Sequence, residues 1–242
     1  MFYFLLMEST LVVIPAHNEE ATIEHVIEDL KHHGFQRILV VDDASDDTTA
    51  QRVLKHGVYL LSLPYNLGAW KATQAGIRYA HDQGFENVIT FDADGQHLAS
   101  SLSSLLSAQK ELQVDIVIGS CPKRGSFARH VAWRGFRFMS GINVKDLTSG
   151  LRLYNKAAIS VLCSEAATLL EYQDVGVLLM LRTFRLTKTE VAVDMKKRVS
   201  GISRIFYSWW AVAYYMAYTT MLCLSKVAKT NTHENIKLPN RD

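Results

Sequence analysis

The chain has 242 residues, of which 48% are hydrophobic and 21% are charged, and its formal net charge is +2. This composition excludes a disordered polypeptide, and the near-neutral charge argues against a general nucleic-acid-binding protein. The three cysteines, at 121, 163 and 223, are widely spaced, which fits neither a disulfide framework nor a Cys-x-x-Cys metal site. Residues 1–7 are apolar but lack the basic region and cleavage site of a signal peptide, so we expect a disordered or loosely packed leader there.

Strand and helix signals alternate through the first half of the chain. The apolar run 11–14 predicts a strand, and Asn18 is the expected N-cap of a helix that Gly34 ends. Further strands are predicted at 37–41, 58–62, 87–91 and 115–119, with helices at 48–56, 70–83 and 100–112 between them. This alternation predicts an α/β fold with a mostly parallel, Rossmann-like sheet flanked by helices.

Polar clusters follow three of these strands, at 15–19, 42–47 and 92–96. The carboxyl ends of strands in an open α/β sheet form the edge at which ligands bind. The sequence therefore predicts that the three clusters line one site rather than three separate turns.

The cluster at 92–96 contains Asp92 and Asp94, two carboxylates one residue apart at the end of a buried strand. Their charges repel each other, and burying either one without a partner is costly. A divalent cation removes the conflict, and carboxylate oxygens suit Mg²⁺ or Mn²⁺. A solvated turn is the simpler alternative, because Asp and Gly are common in turns.

The second half of the chain begins with a basic stretch from Lys123 to Arg137, which indicates either an anion site or a solvated helix face. Residues 129–139 fit one amphipathic helix. A polar loop at 145–152 and helices at 156–163 and 174–184 follow, and then an edge strand at 190–193 and a basic loop at 196–201.

Residues 205–225 contain no charged side chain, and basic residues flank them. About 20 apolar residues can span a bilayer, but Trp and Tyr dominate the first half of this segment and prefer the membrane interface. We expect a helix that lies on or partly in a membrane surface, with a full membrane span and docking onto the domain or a partner subunit as the two alternatives. The expected divisions are a domain at 8–203, this helix at 204–230 and a polar tail at 231–242.

The ordered motifs of the chain resemble glycosyltransferase family 2, in particular the enzymes of the dolichyl- or polyprenyl-phosphate mannosyltransferase type. The matching segments read IPAHNEE at 14–20, VDDASDDT at 41–48, NLG at 66–68, FDADGQH at 91–97, DLTSGLR at 146–152 and RVSGIS at 198–203. The resemblance implies a GT-A fold, a GDP- or UDP-linked sugar donor, Mg²⁺ or Mn²⁺ and inversion at the anomeric carbon.

The resemblance also implies roles for individual residues. Asp92, Asp94 and Gln96 map onto the metal segment, with Asp94 as the expected direct ligand and Ala93 beside them in the donor site. Asp92 is expected to serve either the metal or the nucleoside. The nucleoside contacts map onto the first two polar clusters, and Lys71 and Arg198 are candidates for the diphosphate. The candidate nucleoside contacts are Pro15, Ala16, His17, Glu19, Asp43 and Asp46, with His17 standing where the family commonly has Tyr.

The acceptor determines whether a catalytic base is needed. A polyprenyl phosphate is already an anion and needs positioning and charge screening, for which Arg124, Arg137 and Arg152 are candidates. A saccharide hydroxyl needs a general base, and Asp174 is the candidate for that alternative. The resemblance favours an enzyme that acts at the cytoplasmic face of a membrane, as a homo-oligomer or with a membrane partner. A non-catalytic assembly subunit is a further alternative.

Overall fold

A computed structural model describes residues 2–124, 127–196 and 209–227, without the side chains of residues 2–4, 124–129, 209, 211, 226 and 227. Within these ranges seven strands form one sheet in the order β3-β2-β1-β4-β6-β5-β7. The strands are β1 (Thr10–Ala16), β2 (Ile38–Asp42), β3 (Tyr59–Ser62), β4 (Asn87–Thr90), β5 (Ile116–Ser120), β6 (Arg152–Asn155) and β7 (Lys188–Ala192). Strand β6 is antiparallel to β4 and β5, and the other pairings are parallel. The mostly parallel α/β sheet and the edge strand near residue 190 are confirmed.

Helices cover both faces of this sheet. They are α1 (Phe2–Glu8), α2 (Ile23–His32), α3 (Thr49–Lys55), α4 (Ala69–Asp82), α5 (Leu102–Leu112), α6 (Phe127–Ser140), α7 (Lys156–Leu162), α8 (Glu165–Thr168), α9 (Val175–Thr183) and α10 (Trp209–Val227). Successive side chains of a strand point to opposite faces, so β1 sends Leu11 and Val13 into one core and Val12 and Ile14 into the other. The predicted amphipathic helix at 129–139 lies within α6, which buries Trp133.

Residues 2–8 form helix α1 instead of the expected disordered or loosely packed leader. Leu6 and Met7 pack against the core beside α2, and the carboxylate of Glu8 pairs with Arg37 at 2.9 Å. Apolar burial and this ion pair hold the segment, whose shortness had argued against a stable element.

Helix α10 packs against α6 and α9 along one side. Tyr215, Thr219 and Cys223, spaced four residues apart, are buried in that contact. The described part of the chain contains no helix with the length and apolar character needed to cross a membrane. Docking onto the domain is thus the arrangement that the structure shows for this helix.

Candidate active site

The three polar clusters lie at one edge of the sheet, as predicted. Strand β1 lies between β2 and β4, all three run in parallel, and each cluster follows the carboxyl end of its strand. The backbone ties the ends together, because Asp43 N donates to Ala16 O at 2.8 Å and Phe91 N donates to Val13 O at 3.0 Å. The strand order therefore brings residues far apart in sequence to one site.

The first two clusters form an interlocking pair of loops. The backbone amide of Asn18 donates to Ser45 Oγ at 2.9 Å, and its side-chain oxygen accepts from Asp46 N at 2.8 Å. His17 Nδ1 lies 2.9 Å from Asp43 O. Asn18 takes a φ of 54° and precedes α2 by several residues, so its prediction as the N-cap was wrong. Asn tolerates this left-handed conformation better than most residues, and here it joins two loops rather than capping a helix.

Asp43 is buried, and its carboxylate accepts hydrogen bonds from two amides that lead into α4. Leu67 N donates at 2.7 Å and Gly68 N donates at 2.9 Å. Gly68 has a φ of 89°, a conformation that L side chains rarely adopt. Asp43 therefore fixes the start of the helix that carries Lys71, a role that the predicted nucleoside contact did not include.

The other candidates for the nucleoside and diphosphate surround this junction. Ala16 is buried, Pro15, His17, Glu19 and Lys71 are partly exposed, and Asp46 is exposed. The polar side chains among these candidates thus keep some exposed surface.

The acidic segment after β4 contains two carboxylates in different environments. Asp92 keeps 40% of its side chain exposed, and its Oδ2 lies 3.0 Å from His97 Nε2. Asp94 is buried, and its Oδ1 accepts from Gln96 N at 3.0 Å. Gly95, which lies between Asp94 and Gln96, makes the turn with a φ of 71°. The segment thus offers one open and one enclosed carboxylate within a single turn.

The loop before β6 supports Asp92 from behind. Thr90 Oγ1 donates to Gly150 O at 2.6 Å. A Cβ atom on Gly150 would lie 2.5 Å from Asp92 Oδ1, closer than real contacts allow. The carboxylate therefore rests directly on glycine backbone. Asp92 and Asp94 are hard oxygen donors, which fit Mg²⁺ or Mn²⁺. Among the described residues no group of three or more His, Cys, Asp or Glu side chains forms a metal cage.

Arg152 is fully buried and binds the same loop. Its Nε donates to Ser149 O and its Nη2 donates to Leu147 O, both at 3.0 Å. The prediction that Arg152 screens an acceptor anion does not match this position, because the guanidinium is closed off from solvent and two of its three nitrogens bind backbone carbonyls, while Nη1 is buried without a hydrogen-bond partner among the described residues. Arg137 Nη1 donates to Lys145 O at 3.2 Å. The side chain of Arg124 and the whole of Arg198 lie outside the described residues.

Asp174 lies directly before α9 and is covered by α10. Burial raises the pKa of its carboxyl above the usual 3.8, and a hydrogen bond from the Tyr215 hydroxyl and the charge of Arg152 offset part of that rise. Burial likewise raises the pKa of Tyr215. The candidate base therefore faces a tyrosine of the C-terminal helix and is closed off from solvent.

This burial predicts a pH-dependent stability. The folded-state pKa of Asp174 exceeds the unfolded one, so the folded chain loses stability as pH rises from about 4 through the folded pKa. We expect Asp174→Asn to remove this pH dependence. The free energy of unfolding of the variant, measured with urea, should therefore increase relative to that of the parent as pH rises through the same interval. Tyr215→Phe deletes a hydrogen bond that lowers the pKa of Asp174, so the loss of stability should extend to higher pH in this variant. A stability difference between Asp174→Asn and the parent that stays constant with pH would contradict this account.

The supporting contacts of the site were not predicted from the sequence. His97 and Gly150 belong to the motifs at 91–97 and 146–152, but neither was assigned a role. The signal for His97 was its place five residues after Asp92 across a glycine turn. Gln173 gave no signal, yet its Nε2 donates to Thr90 Oγ1 at 2.9 Å and to Tyr154 OH at 3.2 Å.

The parallel-sheet edge, the two interlocking loops and the acidic turn form one site of the kind expected for a nucleotide-sugar transferase of the GT-A class. Residues 11–164 match the family described as Glycosyl transferase family 2, and the chain belongs to that family and is a glycosyltransferase.

Relatives with named activities cover most of the chain. A UDP-N-acetylglucosamine–dolichyl-phosphate N-acetylglucosaminyltransferase of Methanococcus voltae is 29% identical over 64% of this chain and 72% of its own length. An undecaprenyl-phosphate mannosyltransferase of Micrococcus luteus is 29% identical over 81% of this chain and 86% of its own. A polyprenol monophosphomannose synthase of Mycolicibacterium smegmatis is 30% identical over 63% of each.

The fold recurs in a solved enzyme. Glucosyl-3-phosphoglycerate synthase from Mycobacterium tuberculosis, crystallised with Mn²⁺, UDP and phosphoglyceric acid, superimposes with a TM-score of 0.70 over 96% of this chain and 84% of its own. Its sequence identity is 16%, so the likeness establishes the fold, and the predicted GT-A fold is confirmed.

Proposed function

We propose that this protein transfers a sugar, with inversion, from a nucleotide sugar to a polyprenyl phosphate in a divalent-cation-dependent reaction. The observation that carries the proposal is the open Asp92 carboxylate beside Asp94, at the edge where the β1 and β2 loops meet. A nucleotide-sugar donor needs carboxylates for a metal-bound diphosphate and polar loops for its nucleoside at the same edge of the sheet. Relatives named for dolichyl, polyprenol and undecaprenyl phosphates support the acceptor class.

Asp92, Asp94 and Gln96 would hold Mg²⁺ or Mn²⁺ together with the donor diphosphate. A bound cation would neutralise the charge that develops on the departing nucleoside diphosphate. Two carboxylates and an amide leave coordination positions for phosphate oxygens, which is the usual arrangement for Mg²⁺ in phosphate chemistry. The structural neighbour was crystallised with Mn²⁺ and UDP, and this supports a divalent cation and a UDP-linked donor.

The acceptor phosphate needs no proton removed before it attacks. One of its oxygens forms a bond to the anomeric carbon as the bond to the nucleoside diphosphate breaks on the opposite face, which inverts the configuration. The enzyme's task is to hold the two reactants in line. Asp174 lies buried under Tyr215, and this favours the phosphate acceptor over a saccharide hydroxyl that requires an accessible base.

Exposed apolar side chains on α10 and α6 support action at a membrane surface, and the cytoplasmic face is our proposal for which surface that is. On α10, Trp210 is 85% exposed and Met221 is 73% exposed, and Tyr214 and Leu224 lie along the same helix stripe. Phe138 on α6 is 91% exposed. Large exposed apolar side chains next to a helix rich in Trp and Tyr suit the interface of a bilayer. In this proposal residues 8–203 carry the chemistry and the segment 204–230 contacts the membrane through α10, whereas the polar tail predicted at 231–242 lies outside the described residues.

The test uses the full chain with vesicles that contain undecaprenyl phosphate. We expect ligand-induced thermal stabilisation by UDP or GDP with Mn²⁺, and sugar transfer from the matching nucleotide sugar to the lipid. Transfer only to soluble saccharides would overturn the lipid acceptor, and loss of that transfer in Asp174→Asn would identify the base.

The membrane contribution is tested by the variant Trp210→Ser/Met221→Ser. We expect it to slow transfer to acceptor in vesicles but to act normally on the same acceptor in detergent. Leu54→Ser on α3 is the matched control, because Leu54 is also exposed but lies on a different helix. Equal slowing by both changes would argue against an α10 contact with the membrane.

A further inference from the structure

His97 is a buried side chain whose imidazole faces the Asp92 carboxylate. The Nε2–Oδ2 distance is 3.0 Å, and the His97 side chain has no exposed surface. An ionised carboxylate only accepts hydrogen bonds, so the contact with an ionised Asp92 requires the tautomer in which Nε2 carries the proton and donates. The His97 imidazole therefore holds the partly exposed Asp92 carboxylate from the protein side.

The local sequence fixes the imidazole in this position. Gly95, with a φ of 71°, turns the chain back so that His97 faces the residue five positions earlier. The His97 ring packs against Phe91, with centroids 5.6 Å apart. Met195 forms an antiparallel bridge with His97, and Lys196 N donates to Gln96 O at 2.8 Å. Side-chain packing and backbone pairing thus both restrain the histidine.

The other ring nitrogen separates two explanations for this burial. Nδ1 of His97 is buried without a hydrogen-bond partner among the described residues. A buried polar atom without a partner costs stability. Packing alone therefore does not account for a histidine here, because an apolar ring would fill the same space without that cost. In this arrangement Nδ1 makes no hydrogen bond to the described residues, whereas Nε2 contacts Asp92.

We propose that His97 is a positioning residue that fixes the Asp92 carboxylate in the orientation needed to bind a divalent cation with the donor diphosphate. Asp92 lies between the imidazole and the backbone of Gly150, so these two contacts limit its rotamers. Partners of this kind orient ligating carboxylates, and removing one typically lowers metal affinity about 10–100-fold. This inference rests on the proposed function.

The test measures Mn²⁺ binding in the presence of UDP by electron paramagnetic resonance, which does not depend on turnover. We expect His97→Ala to weaken Mn²⁺ binding about 10–100-fold while UDP binding without metal stays unchanged. His97→Gln, whose amide can donate from a similar position, should recover much of the affinity. His33→Ala is the control, because His33 contacts Asp29 at the end of α2 and not the acidic segment.

The outcomes distinguish this inference from the proposed function. If the parent protein binds neither Mn²⁺ nor UDP, the proposed function fails. If the parent binds both and His97→Ala binds Mn²⁺ equally well, only the positioning role fails. If His97→Ala does not fold, the comparison passes to His97→Gln and His97→Phe. The phenylalanine keeps a ring beside Phe91 but has no donor, and equal Mn²⁺ affinity in these two variants would overturn the role.

Discussion

Asp94→Asn is expected to lower the rate of sugar transfer by about 10²–10³-fold, the size of effect seen when one preorganised electrostatic contact is removed from an active site. The substitution removes a charge but keeps the shape, and the asparagine oxygen can still accept the bond from Gln96 N that the carboxylate accepts at 3.0 Å. The loss should therefore appear in metal-dependent turnover and not in the folded structure. Initial rates at saturating donor over a range of Mn²⁺ concentrations measure it.

Glu111→Gln is the matched control for this prediction. Glu111 is an exposed acid on α5, and neutralising it changes the net charge by the same amount. We expect parental turnover and thermal stability from the control. Parental turnover in Asp94→Asn at every Mn²⁺ concentration would show that Asp94 is not a ligand and would move the metal assignment to Asp92.

Gly150→Ala is expected to displace Asp92 and to lower Mn²⁺-dependent nucleotide binding by about tenfold or more. The new Cβ would lie 2.5 Å from Oδ1 and 2.6 Å from Oδ2 of Asp92, so the carboxylate or the loop must move. Overpacking of this kind typically costs about 1–3 kcal/mol of stability. Isothermal titration with UDP, with and without Mn²⁺, separates the effect on the metal from the effect on the nucleotide.

Gly135→Ala provides the control for an added methyl group. A Cβ on Gly135, inside α6, meets no atom within 4 Å, and alanine in a helix interior is more stable than glycine by about 0.5–1 kcal/mol. We expect this variant to bind UDP and Mn²⁺ as the parent does and to unfold at a slightly higher temperature. Parental binding by Gly150→Ala would mean that Asp92 can relocate without loss.

The sheet and the position of the site could be predicted from the sequence because both depend on strong local patterns. Apolar runs such as 11–14 and 38–41 are buried on both faces, and polar residues follow each run within three positions. The parallel direction of these strands then places Asp43 and Asp92 at the same edge without further information. The order of the motifs along the chain was sufficient to predict the family.

Contacts between distant segments could not be predicted in this way. Asn18 has a side chain that is common at helix caps, but here that side chain accepts a hydrogen bond from the backbone amide of Asp46. Arg152 has the chemistry of an anion contact, but in an antiparallel strand between β4 and β5 it is buried and binds carbonyls of its own loop. Both outcomes depend on which loops meet in three dimensions, and no local period encodes that.

The cover that α10 provides over Asp174 has a consequence for protein production. Tyr215 packs edge-on against Tyr172 at 5.2 Å and Phe136 at 6.3 Å, and the Tyr218 hydroxyl accepts from Glu171 N at 3.0 Å. A fragment that stops at residue 203 would lack Tyr215 and Tyr218 and would leave Phe136, Tyr172 and the Asp174 carboxyl without this cover. The boundary proposed at residue 203 is thus a poor place to shorten the chain, and an expression fragment needs to include α10.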